Sequence, residues 1–190
     1  MALADGTAAS PIGSFLEWEE LQPERWERVG GVVRMMTGGT LAHDYIGNNI
    51  KEQLRRRLRG GRCTRHGSDL KIVTPHEDVL YPDVFVRCGT MEPGTVAVRD
   101  PIVIFEVLST STAQHDLTRK RLAYKTIPSL KVIVYVAQDR ARLDIVRRQA
   151  DGRWDDDEPV LGLEGELMLP EISVTLGMAG IYEDVEVEAA

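Results

Sequence analysis

Cysteine is scarce in this chain of 190 residues, limited to Cys63 and Cys88, and aromatic residues make up only 6% of it. The two cysteines stand apart with no CxxC spacing, which leaves out a zinc ribbon or a thioredoxin-like redox motif. They read as reduced core thiols of a cytoplasmic protein rather than as a disulfide or metal ligands. No apolar run approaches the roughly 20 residues that a bilayer span needs. The opening MALADGTAASPIGS has neither the basic nor the apolar region of a signal peptide. No GxGxxG or Walker pattern occurs, so adenine-nucleotide binding has no motif to rest on and the Gly-Gly pairs read as turns. Basic charge is also in deficit: 23 Lys and Arg against 30 Asp and Glu leave a net charge of −7. That balance argues against a simple electrostatic coat on nucleic acid.

What is present is an ordinary globular composition, 43% apolar and 28% charged, long enough for one domain with a full core. Positive charge is scarce but clustered, in KEQLRRRLRGGR (51–62) and RRQADGR (147–153), and acids gather in DDDE (155–158) and EDVEVE (183–188). Each basic cluster fits either a local patch facing a phosphate backbone or the solvated face of a helix or hairpin.

Residues 1–13 read as a flexible leader and 14–190 as a single domain. Ser14 ahead of FLEWEEL, with Glu17 three residues on, predicts a short helix with a capping box. RWERVGGVVRMMTGG predicts a β-hairpin about Gly30-Gly31. From His43 to Leu58, apolar residues recur at Ile46, Ile50, Leu54 and Leu58, an amphipathic helix with a basic C-terminal half closed by Gly60-Gly61. Three strands are expected in RCTRHGSDLKIVT, VLYPDVFVRC and PIVIFEVLS. A helix over 113–127 ends at Pro128, strands follow in SLKVIVYVAQ and RARLDIVRRQ, and the remainder makes a small edge strand and a terminal helical turn. The pattern predicts an α+β or α/β fold with one central mixed sheet flanked by helices.

Three charges stand out. In IVIFEVL, Glu106 sits inside a strand fit for the interior, and alternation puts it on the face of Ile102, Ile104 and Leu108. In YPDVFVRC, Asp83 shares a face with Phe85, just after Pro82 interrupts the ladder. On the helix, Ala113, Leu117, Tyr124 and Ile127 form one stripe with Lys120 near its middle, while Arg119, Leu122 and Lys125 point elsewhere. Two acids and one lysine can thus converge. One possibility is a closed ion pair without chemistry. The other is a divalent metal, since two carboxylates against one amine leave negative charge over, and hard oxygen ligands suit Mg²⁺ or Mn²⁺ better than zinc.

These residues carry a resemblance. PD at 82–83, FEVLSTST at 105–112 and D-x-x-x-K-x-x-x-Y at 116–124 resemble the Uma-two family of restriction-endonuclease-like proteins, within the PD-(D/E)xK nuclease superfamily. MTGGTLAH (36–43), GSDLKI (67–72), YKTIPSLK (124–131), VAQDRARLDIVRRQADGRW (136–154) and LMLPEISVTLGMAGIY (167–182) agree with it. The resemblance implies a restriction-endonuclease-like core in which Asp83 and Glu106 hold Mg²⁺ or Mn²⁺, with the Val107 carbonyl as a further ligand. The superfamily's commonest lysine position is Leu108 here, and Lys120 matches the family's helix-borne lysine. Glu27 matches a hairpin glutamate, although the aspartate that often follows three residues later is Gly30. His43 matches a histidine at the start of the first core helix, with either a packing or a catalytic part. A family Glu-Tyr pair is Val132-Ile133 in this sequence.

The resemblance further implies a Mg-dependent endonuclease that hydrolyses phosphodiesters in DNA, with RNA as the alternative. Lys51, Arg55, Arg56 and Arg59 are candidates for backbone contacts, and a homodimer would join two such patches. The rival is a nuclease-like fold without catalysis, acting as a nucleic-acid or protein interaction module. Ser109, Ser111 and Thr112 read as helix caps and Asp116 as a charge favoured by the helix dipole. Asp69 and Lys71 alternate onto one face, which either reaches the rim of the site or, as the favoured reading, is a solvated strand face.

Overall fold

The structure is a computed structural model and describes residues 12–90, 92–108 and 114–188, without the side chains of residues 114–116. The first helix, α1 (Ile12–Glu20), contains Ser14 within its span rather than at its cap. The expected hairpin follows as β1 (Trp26–Val29) and β2 (Val32–Met35). Val29 pairs with Val32 across a two-residue turn. Gly30 and Gly31 both take positive φ, 57° and 78°, as that turn demands. Helix α2 (Leu41–Arg57) starts at Thr40, whose side chain accepts a hydrogen bond from the His43 N–H.

Two of the expected strands each divide. The first becomes β3 (Cys63–Gly67) and β4 (Lys71–Val73), the second β5 (Val79–Leu80) and β6 (Val84–Cys88). Each break sends the chain from one sheet to another. A short β7 (Ala97–Val98) precedes the long central β8 (Pro101–Leu108). Helix α3 (Gln114–Lys125) then leads to β9 (Val132–Ala137) and β10 (Arg142–Arg148). The tail holds β11 (Trp154–Asp156), β12 (Val160–Leu161), β13 (Glu166–Leu169), a 3-10 turn (Pro170–Ile172), β14 (Val174–Gly177) and α4 (Met178–Ile181), more structure than one edge strand and a turn.

The central sheet runs β11-β10-β9-β8-β6-β3, with β12 also on β10; a second sheet runs β2-β1-β5-β4-β7. β8 is parallel to β9 and antiparallel to β6, so the central sheet is mixed, as expected. One face of it buries Val103, Phe105 and Val107 against Ile46, Ile50 and Leu54 of α2 and against the β13–β14 hairpin. The other buries Phe85, Ile104 and Ile133 against Tyr124 of α3, Ile127 just after it, and Val29, Ile72 and Leu80 of the second sheet. Glu106 falls on this second face with Ile104 and Leu108. Ile102 does not join them: the register shifts at Val86/Arg87, so Ile102 is bulged and packs with the opposite face.

Cys63 and Cys88 correct the expectation of free thiols. They are register partners on β3 and β6 and are joined by a disulfide. Among the described residues no helix is long and apolar enough to cross a membrane.

Candidate active site

The break between β5 and β6 places Asp83 beside the middle of β8. Pro82 has no N–H for a ladder, so the strand ends there and restarts at Val84. The Asp83 carboxylate then accepts the Val107 N–H at 2.7 Å, one residue past Glu106. Its other oxygen lies 3.3 Å from His43 Nε2, in the first turn of α2. That ring is tightly seated, since a Cβ added to Gly39 would stand 2.8 Å from His43 Nδ1. The Asp83 hydrogen bond outweighs burial and holds the His43 pKa above its ordinary value.

Glu106 is buried, with 6% of its surface exposed. Tyr124 donates its hydroxyl to Glu106 Oε1, and Lys120 Nζ lies 3.7 Å from the same oxygen. Lys120 makes a closer ion pair with Glu27, 2.9 Å away on β1. Glu27 Oε1 also accepts the Tyr81 N–H at 2.9 Å. Burial pushes the Glu106 pKa up to about 7; Lys120 opposes this, while Asp83 and Glu27 add to it. Burial works against the charge on Lys120, but Glu106 and Glu27 prevail and hold its pKa above the usual lysine value.

Glu27, His43, Asp83, Glu106, Val107 and Lys120 all line one cleft of ≈ 270 Å³. The structure thus brings together the three charges singled out in the sequence and both supporting residues. Its outer wall is Arg34 to Thr40, the end of β2 and the glycine-bearing turn into α2. Tyr81 and Tyr124 also hold carboxylates here and were missed as site residues. Tyr124 lies four residues after Lys120, and that helical spacing is a signal that could have found it. Tyr81 had none, because its partners are distant in sequence.

The basic residues of α2 and of the turn after it divide. Lys51 is half-buried two turns from His43; a Cβ on Gly67 would stand 3.7 Å from its Nζ and 3.8 Å from the Asp83 carbonyl. Arg55, Arg56 and Arg59 are exposed and lie farther along, and Arg56 pairs with Glu52 at 2.9 Å. Lys71 corrects its expectation: it is buried against Glu19 at 2.5 Å, and Asp69 pairs instead with Arg25. Ser109, Ser111 and Thr112, and the side chain of Asp116, lie outside the described residues.

Among the described residues no three His, Cys, Asp or Glu side chains are grouped to hold a metal ion unaided. Magnesium does not require such a cage: it binds through one or two carboxylates and keeps water and substrate phosphate as its other ligands. Asp83 and Glu106 are two such donors on one cleft, and Asp83 and Glu27 add negative charge beside the buried Glu106. The donor set fits a hard divalent cation.

Comparison with known proteins agrees with this architecture. A crystal structure titled as a "putative nuclease belonging to DUF820" from Anabaena variabilis superposes with a TM-score of 0.70 at 15% identity, covering 90% of this chain and 96% of the other. It shows the restriction-endonuclease-like fold. Two relatives from Synechocystis sp., both named as uncharacterized proteins, are similar in sequence. One is 32% identical over 142 residues, 74% of this chain and 75% of the relative. The other is 28% identical over 158 residues, 81% and 89%. The model of the family described as "Putative restriction endonuclease", Uma2, matches residues 12–178, and the chain belongs to that family.

Proposed function

We propose that this protein is a divalent-metal-dependent endonuclease that hydrolyses phosphodiester bonds in DNA, with Mg²⁺ or Mn²⁺ held by Asp83, Glu106 and the Val107 carbonyl. The observation that carries the proposal is one cleft lined by Asp83 from the β5–β6 break, Glu106 of β8 and Lys120 of α3. When bound, the cation supplies positive charge opposite the phosphate and makes water a stronger acid.

The chain's own residues do the rest. Val107 N–H and His43 hold Asp83 from its two oxygens, and Tyr124 fixes Glu106. Lys120, kept protonated by its carboxylate neighbours, presents an ammonium to the oxygens on which charge builds as the phosphodiester opens. Glu27 aims that ammonium. Lys51, beside the Asp83 segment, and Arg55, Arg56 and Arg59 beyond it offer a local positive track to a nucleic-acid backbone, despite the net charge of −7. A homodimer would set two such tracks on one duplex.

The test is incubation of the purified protein with labelled DNA and RNA, in Mg²⁺, Mn²⁺ or chelator. Metal-dependent cleavage that disappears in Asp83→Ala supports the proposal. Cleavage unaffected by chelator, or retained in that variant, refutes it. Nucleic-acid binding with no cleavage in any metal would favour the interaction module.

A further inference from the structure

A second polar cluster, buried, shares Tyr81 with the lining of the cleft. Glu19 of α1, Lys71 of β4 and Tyr81 after β5 are exposed by only 5%, 5% and 3%. Lys71 Nζ reaches Glu19 Oε2 at 2.5 Å, and the Tyr81 hydroxyl donates to Glu19 Oε1 at 2.7 Å. The lysine also lies 5.9 Å from the centre of the Tyr81 ring. Phe15, Val73 and Val79 pack around them.

Tyr81 ends this cluster and begins the active site. Its N–H donates to Glu27 Oε1, the oxygen that pairs with Lys120. Pro82, whose φ is fixed by its ring, separates it from Asp83. Four contacts therefore run without interruption from Lys71 through Glu19, Tyr81 and Glu27 to Lys120. The hydroxyl contact restrains the Tyr81 side chain from one end while its backbone N–H is held on Glu27 at the other. Glu27, with one oxygen shared between that N–H and the ammonium, cannot follow Lys120 toward Glu106. Burial and the Glu19 hydrogen bond raise the Tyr81 pKa and keep the phenol protonated as a donor.

For stability alone, an apolar cluster of similar volume would serve as well, because a buried ion pair returns little more than its desolvation cost. We infer that Glu19, Lys71 and Tyr81 are positioning residues, a buried anchor that sets the place of Lys120 and Asp83 from α1 and β4. This role rests on the proposed nuclease reading only for its consequence in turnover, and the anchoring itself can be tested without it.

The experiment compares wild type with Tyr81→Phe and with the paired variant Glu19→Leu/Lys71→Met. Acylation of Lys120 by a water-soluble amine reagent is followed by peptide mass spectrometry, with exposed Lys131 as internal reference. Melting is recorded in parallel, and kcat and KM are measured on DNA in saturating Mg²⁺. In variants that melt cooperatively, Lys120 labelling is expected to rise about tenfold, the kinetic equivalent of one hydrogen bond to a charge. The kcat should fall with KM for DNA unchanged. Lys120 labelled at the wild-type rate in both folded variants would overturn the anchor, whatever the activity. Raised labelling with no cleavage in the wild type would uphold the anchor and refute the nuclease instead.

Discussion

Lys71 is buried and Lys120 is mostly enclosed, with 15% of its side chain exposed, and their company differs. Lys71 faces one carboxylate, Glu19, whose second oxygen is taken by a phenol; neither residue lines the cleft. Lys120 stands between Glu27 and Glu106, with Asp83 close enough to affect it, on the wall of a cleft. The first arrangement balances its charge and closes. The second leaves negative charge over and opens to a volume that can admit a cation and a phosphate. A buried ion pair is therefore no sign of a site by itself; surplus charge beside accessible space is the better one.

Removing each lysine in turn should separate the two regions most sharply. Lys120→Met is expected to lower kcat for DNA cleavage by about 10³-fold, the scale of losing a preorganised charge at a reacting centre. Lys71→Met should act chiefly on folding, costing about 3–5 kcal/mol in denaturant melts by leaving Glu19 without its counter-charge, with a far smaller loss of kcat than Lys120→Met. Adding Glu19→Leu to it should recover most of that loss. Equal effects of both lysines on turnover and stability would erase the contrast.

The burial of Glu106 also has a pH signature. In metal-free protein the Glu106 pKa is about 7, above the unfolded value of roughly 4.3. The folded state thus binds the extra proton between those limits. The stabilisation is complete below the lower value and is lost as pH rises through 7. Between pH 4 and 8 wild type should lose roughly 3 kcal/mol more stability than Glu106→Gln. Parallel pH–stability curves for the two proteins would contradict a Glu106 carboxyl whose pKa is raised by burial and by its carboxylate neighbours.

A smaller effect is expected at the rim. Gly39→Ala would set a Cβ 2.8 Å from His43 Nδ1 and 2.9 Å from Cγ, so the ring must move off Asp83. The cost in stability should be about 1 kcal/mol, in line with modest overpacking. The His43 pKa, read by NMR titration, should fall toward its ordinary value as the Asp83 contact is lost.

Much of this was legible in local pattern. The Gly30-Gly31 hairpin, the Ile46-Ile50-Leu54 stripe of α2, the apolar β8 and the inward Lys120 all follow from periods of two and 3.6 residues, which a single segment displays. What escaped depends on segments meeting. Pro82 was visible as a ladder break, but not that β5 and β6 would join different sheets around it. Lys71 alternates with Asp69 like a solvated face, and only Glu19, 52 positions away, explains its burial. Cys63 and Cys88 carry no sign that antiparallel pairing sets them opposite each other. The bulge at Ile102 comes from register against β6, which the strand's own alternation cannot reveal.

The central claim is most directly tested by titrating Mn²⁺ into metal-free protein by calorimetry, with Asp83→Asn alongside. Saturable binding at a single site in wild type that is lost in the variant is the predicted result. Identical heats in the two proteins, or none in either, would contradict a cation site built on Asp83 and Glu106.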